Sequence, residues 1–237
     1  DDPATIARSV SYPCVLKPTF LAASQGVIRA NNEAEFAAAY LRIGIILTDT
    51  DTKERGGLEA DSLLVEDYIP GQEVALEGLV AAGALHVLAI FDKPDPMVGP
   101  YFEETIYVTP SRLTEDIQNK IIEAVKRAAK AVGLKDGPVH AELRVNADGV
   151  WVLDLASRSI GGKCSGALEF GDGLALEDLI LSKALGTTPP SMARTSAASG
   201  VMMIPIPGRG ILKGVDGMAA ALAEPGITSI DISIHTG

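Results

Sequence analysis

Two carboxylates, Glu142 and Asp154, flank a segment with the pattern of a β-hairpin. Asp148-Gly149 between them is a dipeptide typical of tight turns. A two-residue turn at this dipeptide would place the two acids on opposite faces of the sheet. A three-residue turn over residues 147–149, with Gly149 left-handed, makes Glu142 face Asp154 directly. Opposed carboxylates repel unless a cation lies between them, so this second register predicts a Mg²⁺ or Mn²⁺ site.

Alternation along the first strand of the hairpin favours the second register. One face carries charged or polar residues and the other apolar ones, in the sets His140, Glu142, Arg144 and Ala141, Leu143, Val145. In this register Leu143 opposes Leu153 on the apolar face. An alternative remains open, in which both acids lie on a solvated face and are neutralised by neighbours such as Arg144 or Arg158.

The elements that position these acids mix helices with antiparallel strands, an order that predicts an α+β protein. A polar, glycine-bearing segment at Thr48–Ala60 predicts a mobile loop, and the chain from Gly200 onward is expected to be β-rich. We expect helices at 32–43, Leu113–Val132 and Leu176–Leu185, and strands at Val10–Lys17, Gly26–Ala30, Leu63–Tyr68, Glu73–Ala82, Leu85–Phe91, Pro138–Val145 and Val150–Ala156.

Composition limits the classes of function. The formal net charge of −11 argues against a nucleic-acid partner, because phosphate backbones require basic surface. No apolar run is long enough to span a bilayer and no signal peptide opens the chain, so we expect no membrane partner. Two cysteines give neither a disulfide framework nor a zinc spacing, which favours a reduced, cytoplasmic protein. With three histidines, a metal site would depend on carboxylates.

Five further segments carry motifs in order along the chain: Tyr12-Pro-Cys-Val-Leu-Lys17-Pro18 with the loop 22–27, Leu64–Glu73, Phe91–Pro94, Tyr101–Thr105 and Asp154–Gly162. Together they resemble the ATP-grasp superfamily, in its carboxylate–amine ligase branch, and the third and fourth match that family's central strands. The sequences from Arg158 to Cys164 and from Gly200 to Pro207 look most like bacterial L-amino acid (dipeptide) ligases. Two departures from the broad pattern are Asp154 in place of a glutamate and Ala156 in place of an asparagine.

The resemblance implies an ATP-grasp fold, with nucleotide bound between the antiparallel sheets of two α+β subdomains. The implied division is a small subdomain at 1–69, a large subdomain at 70–190 and the start of a C-terminal region at 191–237. The chain would be a fragment that lacks the family's N-terminal domain, which forms one wall of the substrate site. That missing domain and a second copy of the chain, in a homodimer, are the protein partners considered.

The resemblance also implies roles for individual residues with ATP and Mg²⁺ (or Mn²⁺). Lys17 would contact the α- and β-phosphates, and Arg158 would be catalytic, stabilising developing charge. The metal ligands would be Glu142 and Asp154. The remaining nucleotide contacts are expected from the phosphate loop (Ser24, Gln25, Gly26), the adenine hinge (Glu66, Asp67, Tyr68, Ile69), a ribose ligand (Glu73) and a further phosphate ligand (Lys93). Alternatives are a solvated strand-end lysine at 17, a plain turn at 22–27, and surface ion pairs at 93 and 158.

The implied function is an ATP-dependent ligase that converts a carboxylic or amino acid to an acylphosphate and couples it to an amine. ADP and phosphate would be released, and both substrates would be small molecules. Two other functions remain open from the sequence. One is a biotin-carboxylase-like or nucleotide-biosynthesis ATP-grasp enzyme, and the other is a nucleotide-binding module without catalysis.

Overall fold

The structure is a computed structural model that describes residues 2–48, 56, 62–195, 198–206, 208 and 210–237. The chain divides into two compact units, Asp1–Met203 and Ile204–Gly237. The loop predicted at Thr48–Ala60 falls almost wholly outside the described residues. None of the helices in these ranges has both the length and the apolar character that crossing a bilayer requires.

The N-terminal part of the first unit is a three-stranded antiparallel sheet with two helices. Helix α1 (Pro3–Ala7) was not predicted, although Asp2 caps it and proline occupies its first turn. Helix α2 (Glu33–Leu47) begins at Asn32, whose side chain accepts from the Glu35 N–H. The strands are β1 (Cys14–Pro18), β2 (Ile28–Ala30) and β3 (Leu63–Asp67), in the order β2-β1-β3.

Alternation along β1 sorts its side chains between two faces. Cys14 and Leu16 are buried, and both belong to the apolar core that includes the buried side of α2. Val15 and Lys17 therefore point to the opposite face, together with Arg29 and Glu66, which pair with Val15 in the sheet. The three-stranded sheet thus presents two cationic side chains on the face away from α2.

The second sheet has six strands, all antiparallel, in the order β8-β7-β4-β5-β6-β9. The amphipathic helix predicted at Leu113–Val132 is confirmed as α3 (Glu115–Ala131), and it packs on one face through residues such as Ile121 and Val125. The α+β class with antiparallel sheets is also confirmed. The strands are β4 (Gln72–Ala81), β5 (Ala84–Asp92), β6 (Ile106–Thr109), β7 (Gly137–Asn146), β8 (Gly149–Ala156) and β9 (Ser199–Met202).

The β7–β8 hairpin confirms the pairing of Glu142 with Asp154 but corrects how it arises. Asn146 pairs with Gly149, so the turn has two residues, 147 and 148, and the three-residue turn was wrong. The same register pairs Leu143 with Val152, not with Leu153. A β-bulge then leaves Leu153 without an opposite residue and shifts the register by one, which brings Glu142 opposite Asp154.

The other face of the six-stranded sheet is apolar in one region and charged in another. Its apolar core contains Phe91 and Tyr107, and it packs against a 3₁₀ helix (Cys164–Ala167) and helix α4 (Leu176–Ala184). The buried charged residues of this face are Glu73, Glu77, Lys93, His140 and Arg144. Buried Asp92 lies opposite Val74 on the α3 face, where it accepts from Ser111 and from the Arg112 N–H. Burial of this many charges requires that they satisfy one another.

The β-rich region predicted from Gly200 onward is wrong for the described residues. Strand β9 ends at Met202, and the second unit contains helix α5 (Met218–Leu222) as its regular element in the described part. The alternating apolar residues at 227–234 do suggest a strand, but no ladder is formed there among the described residues. Alternation without a pairing partner does not make a strand.

Candidate functional site

The charged face of the six-stranded sheet gathers the side chains that could do chemistry. As the alternation predicted, His140, Glu142 and Arg144 share this face of β7. Alanine opposite Glu142 leaves space for the longer side chains around it. The opposed pairs across β4 and β7 are Glu73–Arg144, Ala75–Glu142 and Glu77–His140.

Lys93 lies at the centre of this face, just after β5. Its Nζ is 2.8 Å from an oxygen of Glu73, 2.8 Å from one of Glu142 and 3.0 Å from one of Glu104. Only 2% of the lysine side chain is exposed. Burial alone would lower the pKa of Lys93, but the three carboxylates outweigh it and raise that pKa above its ordinary value. Lys93 is therefore a fixed ammonium ion inside a cage of carboxylates.

Arg144 holds Glu73 from the other side. Its Nε donates to Glu73 Oε2 at 3.0 Å, and its two Nη atoms donate to the carbonyls of Ile69 and Met97, each at 2.6 Å. The predicted ribose ligand Glu73 is thus bound by both Lys93 and Arg144. The Arg144 contacts also fix the chain at the hinge, because Ile69 lies two residues after the end of β3.

A buried histidine–glutamate pair adjoins Glu142. His140 Nδ1 contacts Glu77, and the other carboxylate oxygen of Glu77 accepts from the Ile160 N–H at 3.0 Å. Burial would lower the pKa of His140, but its bonds to Glu142 and Glu77 prevail and raise that pKa to about 9. Burial raises the pKa of Glu142, yet His140 and Lys93 together hold it well below its usual range. Glu142 is consequently an anion at physiological pH.

The opposed carboxylates Glu142 and Asp154 provide the oxygen donors that Mg²⁺ prefers. Asp154 lies on the edge strand β8 and is exposed, whereas 20% of the Glu142 side chain is exposed. Carboxylate oxygens of Glu73, Glu104 and Glu142 also lie within 4.8 Å of one another. Because the Lys93 ammonium already occupies the space between those three carboxylates, the Glu142–Asp154 pair fits a divalent ion better than the trio does.

Lys17 joins the two sheets. It forms an ion pair with Glu66, and its Nζ donates to the carbonyl of Leu153 at 3.3 Å. Leu153 is the bulged residue of β8, next to Asp154. The face of the three-stranded sheet that carries Lys17 and Arg29 therefore lies against the hairpin that carries the acid pair. We call the space between these two faces the cleft.

The predicted phosphate loop, residues 22–27, connects β1 to β2. Gln25 N–H donates to Ala22 O at 3.2 Å and Val27 N–H to Ser24 O at 3.1 Å, so the loop is two overlapping turns. Ala23 and Ser24 both have φ of 55°, and Gly26 has φ of 77°. Left-handed backbone of this kind turns successive N–H groups to one side, which suits an anion.

The predicted hinge residues end β3 and follow it. Tyr68 N–H donates to Pro13 O at 3.0 Å, which fixes the hinge to the first strand. The Tyr68 ring carries the guanidinium of Arg29 at 3.9 Å and that of Arg144 at 5.0 Å from its centroid. These cation–π contacts join the three-stranded sheet, the hinge and β7. Glu66 and Asp67 are exposed at the end of β3.

Arg158 lies beyond the end of β8 and is exposed. Its Nη1 donates to the neighbouring Ser159 carbonyl at 2.9 Å. Within the described residues it forms no ion pair with Asp154, which was the alternative to a catalytic role. Its guanidinium is therefore accessible to a ligand.

Three features of the site were missed from the sequence. They are the central position of Lys93, the His140–Glu77 pair and the placement of Arg29 over Tyr68. Alternation gave a signal for His140, since it shares the face of Glu142. The other two depend on which strands are neighbours in space, and alternation carries no information about that.

A family model described as an ATP-grasp domain matches residues 10–167. This match spans most of the chain, and the matched range contains both sheets' site residues. The chain therefore belongs to the ATP-grasp domain family.

Individual relatives include ligases of amino acids. The chain is 30% identical over 150 residues to the alanine–anticapsin ligase of Bacillus amyloliquefaciens, covering 58% of this chain and 31% of the relative. It is 27% identical over 230 residues to carnosine synthase 1 of Gallus gallus, covering 95% of this chain and 25% of the relative. The chain thus spans between a quarter and a third of the length of these relatives.

A solved structure of the L-amino acid ligase from Bacillus licheniformis is similar to this chain over most of its length. The TM-score is 0.71 at 27% sequence identity, and the match covers 91% of this chain and 52% of that one.

Proposed function

We propose that the protein to which this chain belongs is an ATP-dependent carboxylate–amine ligase. The observation that carries the proposal is the acid pair Glu142–Asp154, opposed on a hairpin whose bulge contacts Lys17 from the facing sheet. This arrangement offers metal ligands and a phosphate-binding cation in one cleft. The names of two similar proteins, an alanine–anticapsin ligase and an L-amino acid ligase, favour bond formation between a carboxylate and an amine.

ATP would lie in the cleft with its phosphates toward Lys17 and the loop 22–27. To reach a phosphate, Lys17 would exchange its contacts with Glu66 and Leu153 O for stronger bonds to the nucleotide. Backbone N–H groups of Ser24 and Gly26 would add to these bonds, and Gln25, whose N–H closes the first turn of the loop, would contribute its side-chain amide. The hinge (Glu66, Asp67, Tyr68, Ile69) would hold adenine. Glu73 and Lys93, the proposed ribose and phosphate ligands, are nearly fully buried and would contact the nucleotide without leaving their ion cluster.

Glu142 and Asp154 would hold Mg²⁺ or Mn²⁺. Ala156 offers no ligand atom, so water and phosphate oxygens would complete the shell. When bound, the ion would neutralise phosphate charge. The chain's contribution is to keep Glu142 ionised, through His140 and Lys93, and to aim it toward Asp154.

The reaction would proceed in two displacements. An oxygen of the first substrate's carboxylate attacks the γ-phosphorus, the bond to the bridging oxygen breaks, and ADP leaves behind an acylphosphate. The amine of the second substrate then attacks the acyl carbon, the carbon–oxygen bond to phosphate breaks, and phosphate departs. Arg158, with its accessible guanidinium, would stabilise the negative charge that develops in these steps.

Residues 1–69 and 70–190 would act as the two subdomains that enclose the nucleotide. The proposed boundary lies in the short linker between β3, which ends at Asp67, and β4, which begins at Gln72. An N-terminal domain of the same protein would complete the substrate site, and a homodimer is the assembly we propose to test for.

The full-length protein should be supplied with Mg²⁺-ATP, all pairs of proteinogenic amino acids and a panel of small acids including bicarbonate. We expect ADP release that depends on both an acid and an amine, with the coupled product detected by mass spectrometry. ADP release with bicarbonate alone would point to the carboxylase-like alternative. Mg²⁺-dependent ATP binding with no turnover on any pair would refute the ligase proposal and leave a binding module.

A further inference from the structure

Glu77 is a buried carboxylate to which the proposed mechanism gives no role. It is 1% exposed and lies in the middle of β4, on the same face of the six-stranded sheet as Glu142. A carboxylate buried within a strand is costly unless its oxygen atoms have partners. The partners of Glu77 therefore indicate why a carboxylate is placed there.

The two oxygens of Glu77 bind two different parts of the chain. One contacts Nδ1 of His140, which lies opposite Glu77 on β7. The other accepts from the N–H of Ile160 at 3.0 Å. Ile160 belongs to the segment 157–163, which follows β8 and contains Arg158. One carboxylate thus joins the sheet to the segment of the proposed catalytic arginine.

On the sheet side, the contacts continue to the proposed metal site. Nε2 of His140 is 3.7 Å from Oε1 of Glu142, the acid that lies opposite Asp154. The His140 ring and the Glu77 carboxylate are both buried, so little water can compete for these contacts. A row of side chains therefore leads from Glu142 through His140 and Glu77 to the Ile160 N–H.

The backbone around Arg158 depends on the bond to Glu77. In the described part of the chain, residues 158–160 form no backbone–backbone hydrogen bond. Nη1 of Arg158 donates to the carbonyl of the neighbouring Ser159, which is a contact within the segment itself. Glycines follow at 161 and 162, and glycine leaves the backbone free unless contacts hold it. The Ile160 N–H is therefore the backbone group that ties this segment to the sheet.

The side chain of Ile160 supplies a second, apolar attachment. It is buried in the core that contains Phe91 and Cys164. Apolar burial is non-directional, so it keeps the segment near the sheet without fixing its orientation. The hydrogen bond to Glu77 is directional and supplies that orientation.

We propose that Glu77 is a positioning residue for Arg158. By binding His140 and the Ile160 N–H at once, it holds the segment of the arginine at a fixed place beside Glu142. The inference rests on the proposed ligase function, in which Arg158 stabilises developing charge. Because misplacement of a reacting or stabilising group by about 1 Å can cost about 100-fold in rate, the attachment matters for turnover.

Substitutions at Glu77 separate its hydrogen bonds from its charge. E77Q keeps an oxygen for the Ile160 N–H and an NH₂ group for His140 Nδ1, so the attachment survives the loss of charge. E77M has a similar length but does not replace either bond. E77D keeps the charge, but its side chain is one methylene shorter and does not span both partners.

Asp92 provides the matched controls, D92N and D92L. It is a buried carboxylate of the same sheet that also accepts a backbone N–H, from Arg112 at 2.9 Å. It lies on the α3 face, opposite Val74, and so has no contact with the segment of Arg158. A loss of stability alone should therefore appear in both series, and a loss of positioning in the Glu77 series only.

Turnover is measured in the full-length protein, with Mg²⁺-ATP and the best acid–amine pair from the substrate scan. We expect E77M and E77D to lower kcat by about 10-fold or more, while the KM for ATP changes by less than about 3-fold. The reason is that Arg158 acts on charge present in the transition state and not in bound ATP. E77Q, D92N and D92L should keep kcat within about 3-fold of wild type.

A double-mutant cycle tests whether Glu77 acts through the arginine. If it does, E77M/R158M should turn over no more slowly than R158M alone, because the positioned group is already absent. Two independent losses would multiply. Hydrogen exchange of the Ile160 amide, measured by mass spectrometry on peptides from 157–163, tests the attachment without nucleotide or turnover. Exchange should be faster by about 10-fold or more in E77M and E77D, and close to wild type in E77Q and both Asp92 variants.

Three results would overturn the inference while leaving the ligase intact. They are wild-type kcat in E77M or E77D, effects of E77M and R158M that multiply, and unchanged exchange of the Ile160 amide. If E77M does not fold, E77D and the cycle E77D/R158M decide the question in the same way. Failure of every acid–amine pair to release ADP with the wild type would overturn the ligase proposal, and this inference with it.

Discussion

The two walls of the cleft hold their cations in very different ways. On the three-stranded sheet, Lys17 has 22% of its side chain exposed and pairs with a glutamate that is 42% exposed. On the six-stranded sheet, Lys93 is 2% exposed and touches three carboxylates. An exposed pair contributes about 0–1 kcal/mol and is easily exchanged, whereas a buried cluster cannot lose a member cheaply. The first wall is therefore suited to rearrange around a ligand, and the second to stay fixed.

The strongest way to break this comparison is to remove the buried cation. In K93M, three carboxylates whose oxygens lie within 4.8 Å lose their counter-ion. We expect the free energy of unfolding to fall by about 3–5 kcal/mol, measured by urea denaturation. The double variant K93M/E73Q should recover part of this loss, because it removes one of the uncompensated charges. A loss below about 1 kcal/mol would show that solvent reaches Lys93 and that the two walls do not differ in how tightly they hold their cations.

A substitution at Glu142 tests whether the six-stranded sheet, the fixed wall of the cleft, contributes to catalysis. E142Q keeps the size of the side chain but removes the charge that both Lys93 and the proposed metal require. We expect ligase turnover in the full-length protein to fall by about 100-fold or more, with a higher Mg²⁺ requirement. D148N, on the exposed turn of the same hairpin, is the matched control and should retain activity. Equal activity of E142Q and wild type would exclude Glu142 as a metal ligand.

The buried histidine gives the fixed wall a pH dependence. The pKa of His140 is about 9 in the folded protein, above its ordinary value of 6.5. The stability it contributes is therefore complete below about pH 6.5 and is lost as pH rises through 9. The unfolding free energy of wild type minus that of H140Q should be about 1–3 kcal/mol at pH 6 and should shrink toward pH 10. H86Q, at an exposed histidine, should show no such trend.

The smallest expected effect on stability belongs to Lys17. K17M removes an exposed ion pair and one bond to Leu153 O, so the unfolding free energy should change by less than about 1 kcal/mol. Its ATP affinity, measured by calorimetry, should nevertheless fall by about 10-fold or more, since a phosphate contact is lost. If K17M lost much stability but kept its ATP affinity, Lys17 would have a structural role and not the ligand-binding role assigned to the three-stranded sheet.

The sequence predicted the strands and helices that local hydrophobic periodicity reveals. Helix α3, the β7–β8 hairpin and the shared face of His140 and Glu142 all follow from alternation along one segment. The Glu142–Asp154 pairing was also correct, although a bulge at Leu153 and not a longer turn produces it. A bulge leaves no clear mark in an apolar run such as Val-Leu.

The buried network could not be predicted, because its members come from different strands. Lys93 is separated by 20 residues from Glu73 and by 49 from Glu142. They meet because β4 lies between β5 and β7, and strand order follows from packing of the whole sheet. The failed β-rich prediction after Gly200 has the same origin, since alternation cannot supply a neighbouring strand.

Because of the bulge at Leu153, the length of the turn alone does not determine whether Glu142 and Asp154 lie opposite each other. A hairpin with one more residue in its turn and no bulge would bring the same two carboxylates together. The two chains would have the same number of residues between the acids, so an alignment without gaps superimposes Asp154 but shifts the residues from 149 to 152 by one position in space. Lys17 marks the position of the bulge, because the carbonyl that it contacts belongs to the extra residue. Insertions in this hairpin should therefore be placed by three-dimensional contact and not by the turn sequence.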